Sequence, residues 1–299
     1  MRWDPGAEDC EPYAQKTEAR AFDETTIVIR QNPCVDGEAP LMYLLIGEER
    51  ALLIDSGATD DPRLTTELTG LVSGYLARPD GSRLPLVVAH THGHQDHRSG
   101  DDAFAALPLT TVVSHESEGM RKFFGFRQWP DDQPRFDLGG REVVLLPTPG
   151  HHEDHVAFLD PRTRLLFSGD FYLPGRLLVH DMEAYRQSVR NLSEFAATWG
   201  IRWALGAHIE MGANGKLYSC GASFHPDERP LQMSLAGNEV YMLSMNLKDF
   251  NGFYSREAGY VIVNPVHNLI AASIAALLVL VLAGWWLRRW RSNRRSVPG

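Results

Sequence analysis

From residue 25 to about residue 210, short apolar runs, β-branched in places, alternate with polar turns and stretches of helical spacing. Residues 25–30, 42–46 and 51–54 read as strands, the last two joined by a turn around Gly47-Glu48-Glu49. Thr59 or Asp60 can cap a helix with Leu64, Leu68, Leu71, Val72 and Tyr75 on one stripe, ending near Pro79-Asp80-Gly81. Leu86-Val87-Val88-Ala89 predicts a buried strand, with a short helix over 96–106, a strand over 110–113 and a helical stretch over 114–124. Residues 142–146, 156–159 and 165–167 continue as strands. Asp181 can cap a helix striped by Met182, Tyr185, Val189, Leu192 and Phe195, and 203–205 is a last strand. Strands in two groups with helices between them predict an α/β (α+β) domain over 25–212, preceded by a polar leader over 1–24.

After that the pattern changes. Residues 213–265, with turns at Asn214-Gly215 and Asn251-Gly252, read as an extension of the domain, and Pro265 marks its end. Residues 269–287 carry no charge and one hydroxyl, Ser273. Such a stretch spans a hydrocarbon core of about 30 Å at about 1.5 Å per residue. Trp285 and Trp286 close it like an interfacial belt, and Arg288, Arg289, Arg291, Arg294 and Arg295 follow in a basic tail over 288–299. A single-pass transmembrane helix is therefore expected, and with it a lipid bilayer as a partner. Its orientation has two readings. The arginines argue for a cytoplasmic tail and an extracytoplasmic body, while residues 1–9 lack the apolar core of an export signal, which favours a cytoplasmic body.

The net charge of −9 conceals −14 on residues 1–287. An acidic body repels phosphate backbones, so no nucleic-acid partner is expected and a small-molecule substrate is. Cys10 and Cys34 could pair across the first strand, leaving Cys220 over; three free thiols suit the sequence equally well.

The chemistry concentrates after the strand at 86–89, in Thr91-His92-Gly93-His94-Gln95-Asp96-His97. In an extended segment alternate side chains point the same way, so His92 and His94 can grip one ion. As the chain turns into a helix, Asp96 and His97 swing towards a neighbouring position. Imidazoles plus a carboxylate suit zinc, with iron or manganese also possible.

This pattern resembles the metallo-β-lactamase-fold hydrolase superfamily. Four further segments match in the family's order: Leu52-Leu53-Ile54-Asp55-Ser56-Gly57, Thr148-Pro149-Gly150-His151, Phe167-Ser168-Gly169-Asp170 and Leu205-Gly206-Ala207-His208. The resemblance implies an αββα sandwich with metals at one edge between two sheets. It implies that His92, His94 and His151 hold a first metal, and that Asp96, His97 and His208 hold a second, with Asp170 bridging. Two zinc ions about 3.5–4 Å apart need a shared anion, and a metal-bridging hydroxide is then the nucleophile. Asp96 has a secondary catalytic role as proton relay. Asp55 and His155 are expected to support ligands from behind, and Phe124, Phe126, Trp129 and Tyr172 to wall the substrate pocket. His90 is expected to be packed or in a supporting contact and His152 to point outward, while His115, His180, His225 and His267 have no partner evident from sequence.

Within the resemblance, Asp170 favours thioesterases of the glyoxalase II type, lactonases and phosphodiesterases over true β-lactamases. The expectation is a dinuclear zinc hydrolase of a small ester, thioester or lactone. The alternatives are an iron-dependent sulfur dioxygenase on the same fold, a β-lactamase-type amide hydrolase, or a non-catalytic membrane-anchored binding protein.

Overall fold

A computed structural model describes residues 2–10, 16–235 and 239–295. Its first sheet is built from β1 (Thr17–Asp23), β2 (Thr26–Gln31), β3 (Leu41–Ile46), β4 (Ala51–Ile54), β5 (Leu86–Ala89) and β6 (Thr110–Val112), in that spatial order. Hairpin turns make β1 to β4 antiparallel. Helix α1 (Pro62–Leu76) carries the chain from β4 to a parallel β5, and α2 (Asp101–Ala105) from β5 to a parallel β6. After α3 (Ser117–Phe124), the second sheet collects β7 (Arg135–Asp137), β8 (Glu142–Pro147), β9 (Val156–Asp160) and β10 (Leu165–Gly169). Then come β11 (Arg176–Leu178), α4 (Met182–Trp199), β12 (Trp203–Gly206), β13 (Gln232–Ser234), α5 (Glu239–Asp249), β14 (Tyr254–Arg256), β15 (Val261–Val263) and α6 (Pro265–Arg295). The second sheet has the order β13-β12-β10-β9-β8-β7, and β11-β15-β14 form a small third one.

The apolar runs are continuous because both faces of each large sheet are covered, and strand alternation sorts them into separate cores. In the first sheet Ile27, Ile29, Met42, Leu44, Leu53 and Val88 face α1 and α2, meeting Leu68, Val72, Leu76 and Phe104. Their neighbours Val28, Tyr43, Leu45, Leu52, Ile54 and Val87 face the other sheet, against Val143, Leu145, Phe158, Leu165 and Phe167. On its far side the second sheet turns Leu146, Leu159, Leu166 and Ala204 towards Tyr185, Val189, Leu192 and Phe195 of α4. The result is the αββα sandwich.

Several elements depart from expectation. Part of the leader is woven into the fold: β1 pairs with β2, Trp3 packs in the inter-sheet core, and Cys10 is joined to Cys34 by a disulfide with a Cα–Cα distance of 5.5 Å. The alternating Glu18 and Arg20 of β1 suit an exposed edge, which conceals the strand from a search for apolar runs. Residues 1 and 11–15 of the leader lie outside the described residues. The expected helix over 96–106 is a 3-10 turn, Gln95–His97, followed by α2. The helical path is interrupted at Arg98, with φ −137° and ψ 3°, and Gly100 then passes so close to Ser56 that a Cβ would lie 2.3 Å from its carbonyl oxygen. Asp61 caps α1 in place of Thr59 or Asp60, accepting from the Arg63 and Leu64 amides, with Pro62 as the first helical residue. The extension over 213–265 is part of the body, since β13 pairs with β12 and β15 with β11.

Helix α6 contains a stretch, Pro265–Trp290, of mean hydropathy 2.4 with none of its apolar window buried against the body. It is long and apolar enough to cross a membrane and includes the expected span 269–287. Of the basic tail, residues 296–299 and the side chains of Arg291, Arg294 and Arg295 lie outside the described residues.

Candidate metal centre

The carboxyl ends of β4, β5, β10 and β12 and the loop from β8 to β9 meet at one edge of the sandwich, and each brings one of the sequence's polar motifs. Asp55 follows β4, residues 90–97 follow β5, His151 lies between β8 and β9, Asp170 follows β10 and His208 follows β12. Strand geometry thus delivers residues far apart in the chain to one place.

They form two clusters. His92, His94 and His151 make the first: His92 Nε2 lies 2.8 Å from His94 Nδ1, which lies 3.1 Å from His151 Nε2. Asp96, His97, Asp170 and His208 make the second. Here Asp96 Oδ2 is 3.0 Å from His97 Nε2 and 3.2 Å from His208 Nε2. Asp170 touches both, with Oδ2 3.5 Å from His151 Nε2 and Oδ1 3.2 Å from His208 Nε2. Each cluster brings its ligand atoms within 4.8 Å of one another. Asp170 Oδ1 is buried yet accepts no hydrogen bond. A buried carboxylate oxygen that faces imidazole nitrogens without a well-formed hydrogen bond is the arrangement a shared cation completes, so the donor set fits a metal in each cluster.

Contacts behind the ligands fix their rings. His97 Nδ1 is 2.9 Å from Asp55 Oδ2, His151 Nδ1 donates to the Leu178 carbonyl at 2.9 Å, and His208 Nδ1 to the Glu38 carbonyl at 2.8 Å. Bonding through Nδ1 leaves Nε2 free to face the centre, which sets the tautomer a metal needs. Asp55 is held at φ 65°, a left-handed conformation costly for this residue, while its carboxylate accepts from the Thr91 amide at 2.8 Å. Thr91 Oγ1 also lies 3.1 Å from His92 Nδ1. His155 stands between Thr148 Oγ1, 2.7 Å from its Nδ1, and the Asp170 amide, which donates to its Nε2 at 3.2 Å. A side chain at Gly169 would lie 2.7 Å from both His155 and Thr91, so only glycine lets β10 enter the site this closely.

The two clusters differ electrically. Burial pushes the imidazoles of His92 and His94 below the ordinary value, and that of His151 down to about 4. Burial acts on His97 and His208 in the same sense but is outweighed by nearby carboxylates, Asp96, Asp55 and Asp170 for His97 and Asp170 and Asp96 for His208. Both imidazoles are raised well above the ordinary value. For Asp96 and Asp170 burial favours the neutral acid, yet His97 and His208 hold both well below the usual carboxylate range.

The seven expected ligands therefore come together, with Asp55 and His155 behind them. The residues expected as an aromatic wall have packing partners in the cores. Phe124 is buried in the inter-sheet core with its ring near Phe158, Phe126 and Trp129 pack against the same core, and Tyr172 is buried on the α4 side near Tyr260. Apolar side chains gain more from these cores than from lining a polar cleft. The rim is imidazole. His152, expected to point outward, has its ring 5.1 Å from that of His94 with 28% of the side chain exposed, and His180 Nδ1 donates to the His151 carbonyl at 2.6 Å. His90 Nε2 is 2.8 Å from Asp101 Oδ1, a supporting contact one residue before Thr91. His225 is stacked on Tyr218, and His267 Nδ1 donates to the Gly252 carbonyl. Sequence reading missed Thr91, Thr148 and the carbonyls of Glu38 and Leu178; only the two threonines, adjacent to or within histidine motifs, left a signal.

Residues 35–195 match the family model described as the metallo-beta-lactamase superfamily. A Beta-lactamase-like protein 2 homolog from Caenorhabditis elegans is 29% identical over 164 residues, covering 52% of this chain and 52% of its own. The Atrochrysone carboxyl ACP thioesterase of Aspergillus fumigatus is 32% identical over 165 residues, covering 53% of this chain and 48% of its own. The chain spans about half the length of these curated relatives. A solved metallo-beta-lactamase from Pontibacter korlensis superposes with a TM-score of 0.51 at 14% identity, covering 78% of this chain and 100% of that one, a likeness of fold.

Proposed function

The chain belongs to the metallo-beta-lactamase superfamily, and from that membership we propose that it is a dinuclear zinc hydrolase acting on a thioester, with small esters and lactones as related substrates. The observation that carries this reading is Asp170, whose two carboxylate oxygens each face a different ligand cluster, Oδ2 towards His151 and Oδ1 towards His97 and His208. His92, His94 and His151 would hold one cation and Asp96, His97 and His208 the other, with Asp170 shared. Zinc suits these nitrogen and oxygen donors, and iron or manganese can use the same set. When bound, such a pair supplies a water ionised near neutral pH and a Lewis acid for the substrate carbonyl.

The chain's own residues do the rest. Asp55 and the carbonyls of Leu178 and Glu38 hold the rings of His97, His151 and His208 in the ligating orientation, and His155 anchors the Asp170 main chain. Asp96, held as a carboxylate with 23% of its side chain exposed, would be the group to take up a proton and pass it towards the departing sulfur. The thioester preference is supported by the Aspergillus relative, which carries that activity in its name.

In the same reading α6 spans a bilayer and the body lies on the extracytoplasmic side. The Cys10–Cys34 disulfide suits an oxidising compartment, and the arginines stand at the opposite end of the helix.

Purified full-length protein assayed against acyl thioesters, lactones, β-lactams and phosphodiesters tests the activity. Thioester turnover abolished by a chelator and restored by zinc is the expected result. Turnover of β-lactams alone, or iron-dependent oxygen consumption, would overturn it.

A further inference from the structure

A strand that braces the metal centre is paired with the strand from which α6 departs. β11 supplies the Leu178 carbonyl to His151, and Leu178 is the register partner of Val263 in β15. Neighbouring strands lie about 4.8 Å apart. Helix α6 begins at Pro265, so no spacer separates the body from the apolar helix.

The first turn of α6 is also fastened to the turn between α5 and β14. The Asn264 amide donates to the Phe253 carbonyl at 3.1 Å, Asn268 Nδ2 to the same carbonyl at 3.2 Å, and His267 Nδ1 to the Gly252 carbonyl at 2.8 Å. These bonds hold Phe253 and Tyr254, each 44% exposed, beside the first exposed apolar residues of α6, Val266, Leu269 and Ile270. Aromatic side chains in that position match the residues that settle at a membrane–water interface.

Just before this turn in the chain, the last turns of α5 meet α4 around a cavity of about 340 Å³ lined by Arg186 and Arg190 of α4 and by Ser244, Met245, Leu247 and Lys248 of α5. Arg186 clasps the two helices through the Leu247 carbonyl, 2.8 Å from its guanidinium. The lining holds three cations and no acid, on a body whose residues 1–287 sum to −14. Helix α4 starts beside the centre, since the His180 and Asp181 amides both donate to the Gly150 carbonyl next to His151.

We propose that Arg186, Arg190, Lys248, Phe253 and Tyr254 form a docking face for the anionic phospholipid headgroups of the leaflet that α6 enters, holding the metal centre at the membrane surface. This rests on the reading that α6 spans a bilayer. The aromatic pair enters the interface and the cations meet lipid phosphates, each strengthening attachment about fivefold. A substrate with a membrane-embedded acyl chain then reaches the centre without leaving the bilayer surface.

Hydrogen exchange on the full-length chain in nanodiscs tests the proposal. Amides of α5 and the 250–254 turn are expected to exchange about tenfold or more slowly in phosphatidylglycerol-rich than in phosphatidylcholine discs, and α1, in the opposite layer, equally in both. Raising salt to about 0.5 M, where charges are screened within about 4 Å, should remove the difference. So should Arg190→Gln with Lys248→Gln, which leaves the Arg186 clasp intact. Equal exchange in both lipids, or a difference indifferent to salt and to these substitutions, overturns the docking face. Loss of the chain from vesicles on alkaline washing would instead refute the membrane span itself, a separate outcome.

Discussion

The two ligand clusters sit side by side yet are prepared for a cation in opposite ways. His92, His94 and His151 offer nitrogen alone, and burial keeps these rings neutral. Asp96, His97, Asp170 and His208 arrive as two carboxylates and two imidazoles, and without a metal the imidazoles hold protons to balance the acids. The first cluster is shaped by burial and the second by the balance between its carboxylates and imidazoles. Asp170 is the carboxylate that faces both, so the comparison breaks most completely there.

Asp170→Asn should have the largest effect. Removing the shared anion leaves two cations to repel each other, and kcat/KM for the best thioester should fall about a thousandfold or more, the equivalent of several kcal/mol. Asp55→Ala acts on one side only. It frees the His97 ring and should weaken metal binding in the second cluster about 10–100-fold while sparing the first, as titration with a competing chelator would reveal.

The pH response should separate the clusters next, at up to about tenfold per pH unit in each window. With a folded value of about 4, His151 takes up a proton less readily folded than unfolded, so the stability it contributes to the metal-free chain is present above about 6.5 and lost as pH falls through 4. His97 and His208 have the opposite sign: their contribution is complete below about 6.5 and lost as pH rises through their raised folded values. Melting temperatures of metal-free protein should show His151→Asn flattening the acid side of the profile and His208→Asn the alkaline side. Zinc binding at pH 7, followed calorimetrically in buffers of different ionisation enthalpy, should release protons from the second cluster and almost none from the first. The smallest effect is expected for Thr148→Val, which loosens His155 and through it the Asp170 amide; a loss of activity below about tenfold fits that indirect path.

The first cluster's local half was legible from spacing alone, because His92 and His94 share one extended segment. Asp170 and His208 become ligands only when β10 and β12 end at the same edge, and the motif resemblance carried that information. The contacts behind the ligands were mostly hidden, since the Glu38 carbonyl meets a histidine 170 positions away and a main-chain oxygen leaves no trace in residue type. For the fold, strands buried on both faces read clearly as apolar runs. The short edge strands β1, β7 and β13 escaped because polar residues alternate there. The aromatic stretch from Phe123 to Trp129 was legible as apolar but not in its packing. Apolar pattern reports that a side chain is buried, but not which core buries it.

The most direct test of the two-cluster account is metal content per chain, by elemental analysis of full-length protein purified with zinc. The account predicts two zinc ions, one after His92→Ala combined with His151→Ala, and one after His208→Ala combined with His97→Ala. A chain that hydrolyses its substrate with a single ion, or whose metal content ignores these substitutions, would contradict it.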